Sequence, residues 1–179
     1  IFIIEEGRLE YKRMDEALFH SIFEKGEFSA EKAKKVIGQG IGQLSTVGRY
    51  CTPEKGAERA NSIQQFAREE TRLGIPVIIH DECLHGLMAI RSTSFPQAIA
   101  LASTWDDILM EEVAAAIGKE TKSRGIHQCL SPTINIARDP RCGRVEETYG
   151  EDVFLTTRMA VAYVKGVQSQ GVACTPKHF

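Results

Sequence analysis

The sequence predicts an α/β fold: a parallel sheet covered by helices, forming about the first half of a (β/α)8, TIM-like barrel. Three observations carry this. A unit of amphipathic helix, glycine, short apolar strand and polar loop recurs three times. Each helix-to-strand turn is a bare glycine, whereas the strand-to-helix connections run to about twenty residues, well above the usual length. Long loops on one side and minimal turns on the other mark the working face of a barrel, at the strand C-termini.

In chain order, EYKRMDEALFHSIFEKG (10–26) is expected to be a helix ahead of the sheet, within a helical lead-in over residues 1–40. GQLSTVG (42–48) is a weakly patterned first strand and opens the barrel segment, 41–179. The first repeat joins helix EKGAERANSIQQFAREETRLG to strand IPVIIH, with Ala60, Ile63 and Ala67 at helical spacing and Gly74 after the last turn. In the second, DDILMEEVAAAIGKETKSRG carries Leu109, Val113, Ala116, Ile117 and Glu120 as its stripe. Thr104 and Asp107 have capping-box spacing, Gly125 closes the helix, and IHQCLSPTINI follows as a strand. The third helix, DVFLTTRMAVAYVKGVQSQG, sets Leu155, Met159, Ala162 and Gly166 on one side, ends at Gly171 and feeds VACTP. The near-continuous apolar strands suit a parallel sheet. A doubly wound nucleotide fold would need a glycine-rich phosphate turn after a strand, and GQGIG lies before one.

Composition narrows the function classes. Of 179 residues, 42% are apolar and 26% charged, and 22 basic residues face 24 acidic ones for a net charge of -2. No basic stripe points to nucleic acid, and no apolar run reaches the ~20 residues that cross a bilayer. Neither a nucleic-acid nor a membrane partner is expected. The opening lacks an initiator Met, a basic n-region and a cleavage site, and reads as the inside of a longer polypeptide. Five scattered cysteines without a C-x-x-C pair predict no metal site, no redox pair and no disulfide scaffold. Cys129 and Cys174 read as small hydrophobes. No cofactor is implied.

The long loops begin with polar groups set on apolar strands. IIHDECLHGL brings His80, Asp81, Glu82 and His85 to one rim. The next loop, SPTINIARDPRCGRVEETYGED, holds Asn135, Arg138, Asp139, Arg141, Arg144, Glu146, Glu147 and Tyr149; the chain ends on TPKHF, with Lys177 and His178. Carboxylate acceptors, bidentate donors and an ammonium on one face suit a neutral polyhydroxyl ligand. The plainer reading of Asp139, Glu146, Glu151 and Asp152 is that they pair with arginines and brace the loop.

These stretches also carry a resemblance. RLGIPVIIHDECLHGL, TSFPQAIALASTWD, ARDPRCGRVEETYGED and the terminal KHF, in that order, resemble the N-terminal barrel of glycoside hydrolase family 3 over roughly residues 41–179. The resemblance implies a retaining, exo-acting enzyme that removes a β-linked sugar from the non-reducing end of an oligosaccharide or glycoside. Position by position it implies that Glu82, Arg144, Lys177 and His178 bind the terminal sugar, with His85 and Gly86 shaping the loop. It implies a nucleophilic aspartate on a later strand and an acid/base later still, so no catalytic carboxyl is expected among these residues and the segment alone should not hydrolyse glycosides. HDECLHG is nearer to β-glucosidases and β-xylosidases than to hexosaminidases; β-glucosidase is the leading expectation and β-xylosidase the alternative. A periplasmic or extracellular setting is favoured over a cytoplasmic one, and a homo-oligomer is left open. Two rivals use the same residues: a non-catalytic sugar-binding module, and an aldolase-like barrel forming a Schiff base at Lys177.

Overall fold

The computed structural model describes residues 21–178 and the backbone of two short antiparallel strands, β1 (Phe2–Glu5) and β2 (Arg8–Tyr11). The helix expected over 10–26 is present at Ser21 and Ile22 but corrected at both ends, and residues 12–20 lie outside the described residues. Glu10 and Tyr11 belong to β2, while β3 (Phe23–Glu24) and β4 (Glu27–Phe28) form a hairpin. Its turn holds Lys25 and Gly26 at φ 51° and 84°, the left-handed geometry that matches strand twist in a two-residue loop. Phe23 meets Phe28 edge-on at 5.9 Å, and Phe28 meets Phe66 at 5.8 Å. Arg59 lies over the Phe23 ring and donates to the Gly26 carbonyl at 2.7 Å. Aromatic packing onto the next long helix therefore overrides the local helical pattern. A short helix, α1 (Ala30–Ile37), follows, capped by Ser29.

The central sheet has four parallel strands in sequence order: β5 (Gln43–Ser45), β6 (Ile78–Asp81), β7 (Gln128–Cys129) and β8 (Ala173–Cys174). Between them run α2 (Pro53–Glu70), the short α3 (Ala98–Ala102), α4 (Asp107–Ser123) and α5 (Val153–Ser169). This is the strand–helix order of a (β/α) barrel, with the three main predicted strands adjacent and parallel. The weak first strand is present too. Gly74, Gly125 and Gly171 enter the strands at φ 63°, 75° and 73°, a backbone region that penalises any side chain.

The strands are shorter than expected and alternate in burial. Leu44, Ile79 and Cys129 are buried, whereas Gln43, Ile78 and Ala173 are exposed. The stripe on α4 is turned by about one residue. Met110, Val113, Ala114, Ile117 and Thr121 are buried, while Leu109 and Ala116 are exposed. The cap shifts likewise: Asp106, not Thr104, accepts the Leu109 N–H at 2.9 Å. On α5, Met159, Ala162 and Gly166 are buried as expected, with Leu155 half-buried. A Cβ on Gly166 would stand 2.3 Å from the Glu111 carbonyl oxygen, so glycine is what lets α4 and α5 approach this closely.

Candidate active site

The site is built where the strands end. β6 finishes on Asp81, and Glu82 is the first residue beyond it. β8 finishes at Cys174, but the chain stays pinned to the loop after β7. Lys177 N–H donates to the Pro132 carbonyl at 2.9 Å, and the Lys177 carbonyl accepts from Ile134 N–H at 2.7 Å. This sets the Lys177 side chain beside Glu82, and its ammonium donates to both carboxylate oxygens, at 2.8 and 3.1 Å. The pair is mostly shielded from solvent.

His178 is oriented from two sides. Asn135 Oδ1 accepts the His178 backbone N–H at 3.0 Å and lies 3.0 Å from the ring Nδ1. A carbonyl oxygen can only accept, so Nδ1 carries the proton and Nε2 is the acceptor. Arg144 Nη1 donates to that Nε2 at 3.0 Å. Arg144 opens the 3-10 turn Val145–Glu147, which brings Glu147 round to meet the guanidinium fork at 2.9 and 2.5 Å. Arg144 holds the Glu147 carboxyl below its ordinary value against a smaller opposing effect of burial, and the nearby charge of Lys177 adds to it. Glu147, and more weakly Glu82, hold Arg144 above its own. The two groups therefore share one electrostatic neighbourhood. Glu82, Arg144, Glu146 and Glu147 line a cleft of about 1230 Å3, together with Arg49 and Asp81.

Beneath Glu82 lies a buried ion pair. Asp81 is 1% exposed; its Oδ1 accepts from Arg49, both from Nε at 3.1 Å and from Nη2, and from the Glu82 N–H at 2.8 Å. Its Oδ2 is buried and takes no hydrogen bond among the described residues. Burial pushes the Asp81 carboxyl up and outweighs the opposing pull of Arg49.

Chemically, the mouth offers carboxylates able to accept from hydroxyl groups and fixed cations able to donate to them. Three of its carboxylates are each faced by a cation: Glu82 by Lys177, Asp81 by Arg49, Glu147 by Arg144. That charge balance suits a neutral polyhydroxyl ligand.

The sequence model of the Glycosyl hydrolase family 3 N terminal domain matches residues 8–179. The chain belongs to this family. A β-xylosidase of Formosa agariphila is 40% identical over 136 residues, which are 68% of this chain and 19% of that protein. A β-glucosidase of Rhizobium radiobacter is 46% identical over 115 residues, 60% of this chain and 14% of that one. Among solved structures, a β-glucosidase of Erythrobacter marinus superposes with a TM-score of 0.76 at 39% identity, over 79% of this chain and 20% of that one. The chain thus spans about a fifth or less of the length of these relatives.

Of the residues the family resemblance singles out, Glu82 meets Lys177 and Arg144 meets His178. His85 serves the loop: its Nδ1 lies 2.8 Å from the Phe95 carbonyl oxygen, and its own carbonyl accepts from Phe95 N–H. Asp139 and Arg141 pair with each other in an exposed turn, and Asp152 caps α5. Tyr149, read from the sequence as a rim residue, is instead buried in the core at 2% exposure. Two arginines escaped the sequence reading. Arg49 occupies the strand-end region after β5, and the strand-end rule would have found it had that strand been patterned more strongly. Arg124 is buried with its guanidinium donating to the carbonyls of Gly48, Cys51 and Ile90, so it clamps the loops after β5 and β6 together. Nothing in its local sequence signals this.

Proposed function

We propose that this chain is the sugar-holding part of a retaining exo-β-glycosidase, with β-glucosidase as the leading activity. The observation that carries this is the meeting of Glu82 with Lys177 and of Arg144 with His178 on the loops beyond the parallel strands, with Glu82 and Arg144 lining one cleft. Vicinal hydroxyls of a terminal sugar would donate to Glu82 and accept from Lys177 and Arg144, with charge-assisted bonds that fix the ring. Such bonds catalyse only insofar as they strengthen when the ring flattens toward an oxocarbenium-like state. Retaining hydrolysis also needs two carboxyls about 5 Å apart. Glu82, Asp81 and Glu147 are each held by a cation, and the family resemblance assigns nucleophile and acid/base to residues outside 1–179.

The Schiff-base alternative fits poorly, because a lysine nucleophile must be a free amine and Lys177 is held by both oxygens of Glu82. A β-xylosidase is the second reading, favoured by the name of the Formosa agariphila relative. Oligosaccharides cut from extracellular polymers favour a periplasmic or extracellular setting. No helix among the described residues is long and apolar enough to cross a membrane.

The test is hydrolysis of aryl β-glucoside and β-xyloside by the full-length gene product, with the anomer released followed by NMR. Release of the β-anomer, faster from glucoside, is expected. Faster release from xyloside would move the assignment to the second reading. An α-anomer as first product, or binding of sugar without turnover, would overturn the retaining glycosidase.

A further inference from the structure

The mouth of the sheet holds one charged pair that the sugar-binding reading does not use. Arg49 stands 32 residues from Asp81, on the turn after β5, and its guanidinium reaches across to Oδ1 of Asp81. That same oxygen accepts the Glu82 N–H. The other side of the Glu82 peptide is also fixed, since its carbonyl accepts from Met88 N–H at 2.9 Å. The Arg49 carbonyl in turn accepts from Ile90 N–H at 2.9 Å, so the loops after β5 and β6 are stitched around Glu82.

A buried ion pair is weak evidence for stability, because desolvating both ions offsets most of their attraction. Asp81 follows that rule. It leaves Oδ2 buried without a hydrogen bond, and burial keeps its carboxyl above the ordinary range even beside Arg49. The pair therefore contributes little to folding for the residues it uses. What it does accomplish is geometric: it aims the backbone of the residue that grips Lys177.

We propose that Arg49 and Asp81 are positioning residues, Arg49 clamping Asp81 so that Oδ1 holds the Glu82 N–H and sets the carboxylate against Lys177. This deepens the glycosidase reading and rests on it only for the kinetic readout below. Glu82 and Lys177 touch the sugar; Arg49 and Asp81 act through Glu82.

The experiment uses the full-length gene product with Arg49→Lys, which keeps the cation and loses the fork, and with Asp81→Ala, Asp81→Asn and Glu82→Gln. One readout is independent of activity: the rate at which acetic anhydride acetylates Lys177, followed by peptide mass spectrometry on protein shown to be folded by circular dichroism. Arg49→Lys and Asp81→Ala should each raise that rate about threefold or more, because a misaimed Glu82 no longer engages the ammonium. The second readout is kcat and KM on an aryl β-glucoside. Both variants should lower kcat/KM by about tenfold, chiefly in kcat. Asp81→Asn, which keeps an acceptor at Oδ1, should lose less than Asp81→Ala. Adding Asp81→Ala to Glu82→Gln should cost no more than Glu82→Gln alone.

Should Asp81→Ala fail to fold, Arg49→Lys carries the same comparison. An unchanged Lys177 acetylation rate in a folded variant, or losses that multiply in the double variant, overturns the proposal. A responsive Lys177 in a protein without glycosidase turnover supports positioning and removes the glycosidase reading. Turnover with an indifferent Lys177 does the reverse.

Discussion

Two acid–base pairs on this chain look alike in composition and differ in almost everything else. Asp139 and Arg141 lie two residues apart, bonded through Nε and Nη2 within an exposed turn, where Asp139 also accepts the Arg141 N–H. Glu82 and Lys177 lie 95 residues apart, come from two strands that are not neighbours in the sheet, and are partly buried. The first pair organises its own loop. The second exists only because the sheet is assembled, and it leaves a carboxylate and an ammonium side by side on the edge of a cleft. An ion pair informs on function when the fold has to bring its members together and leave them within reach of a ligand.

Removing one partner from each kind of pair is the direct way to break this contrast. The largest effect is expected at the most buried pair. Arg49→Met strands the Asp81 charge and should lower unfolding stability by about 3 kcal/mol, read from chemical denaturation; an unchanged midpoint would mean that Asp81 has found another partner or a proton. Next comes Lys177→Ala, which should lower kcat/KM on an aryl β-glucoside well beyond about tenfold. Near wild-type kinetics for that variant would remove Lys177 from the sugar site.

A smaller effect, dependent on pH, sharpens the comparison through an uncharged contact between strands. His127 Nδ1 accepts the Ile79 N–H at 3.1 Å, and burial, with the Lys122 charge adding, lowers its pKa from 6.5. The unfolded chain then binds a proton more readily than the folded one. Its contribution is complete above pH 6.5 and is lost as the pH falls through the lower folded-state value. The melting temperature should decline below that pH, and His127→Asn, an acceptor that does not titrate, should flatten the decline. The smallest effect belongs to the local pair. Arg141→Ala should leave both the melting temperature and kcat/KM at their wild-type values. A substantial loss of activity there would show that the exposed turn reaches the substrate.

Much of the architecture was legible without coordinates. The glycine turns, the helix spans of α2, α4 and α5 and the parallel order of the strands all follow from local rules, and three left-handed glycines stand where the repeats predicted turns. The failures are equally specific. The stretch from Phe23 is helical in pattern and a hairpin in fact, because Phe23 packs on Phe28 and Phe28 on Phe66, 38 residues later. The face of α4 shifted by about one residue because the apolar run permits several stripes, and contact with α5 selects one. Tyr149 sits among charged loop residues yet is buried, which composition alone does not reveal.

The same division holds at the site. The residue types, their order along the chain and their place after apolar strands are properties of the sequence, and they point to the family and to a sugar-binding mouth. Which carboxylate meets which cation is a property of the tertiary structure. Glu82 had Arg138, Arg141, Arg144 and Lys177 as plausible partners along the chain; the pinning of Lys177 to Pro132 and Ile134 delivers one of them. Arg49 and Arg124 are ordinary surface residues by their neighbours in sequence, and they become a buried clamp only when the loops after β5 and β6 fold over them. The physical reason is range. Backbone dihedrals and helical periodicity act over a few residues and are written locally, whereas a charge is satisfied by whatever the assembled sheet carries to within about 3 Å.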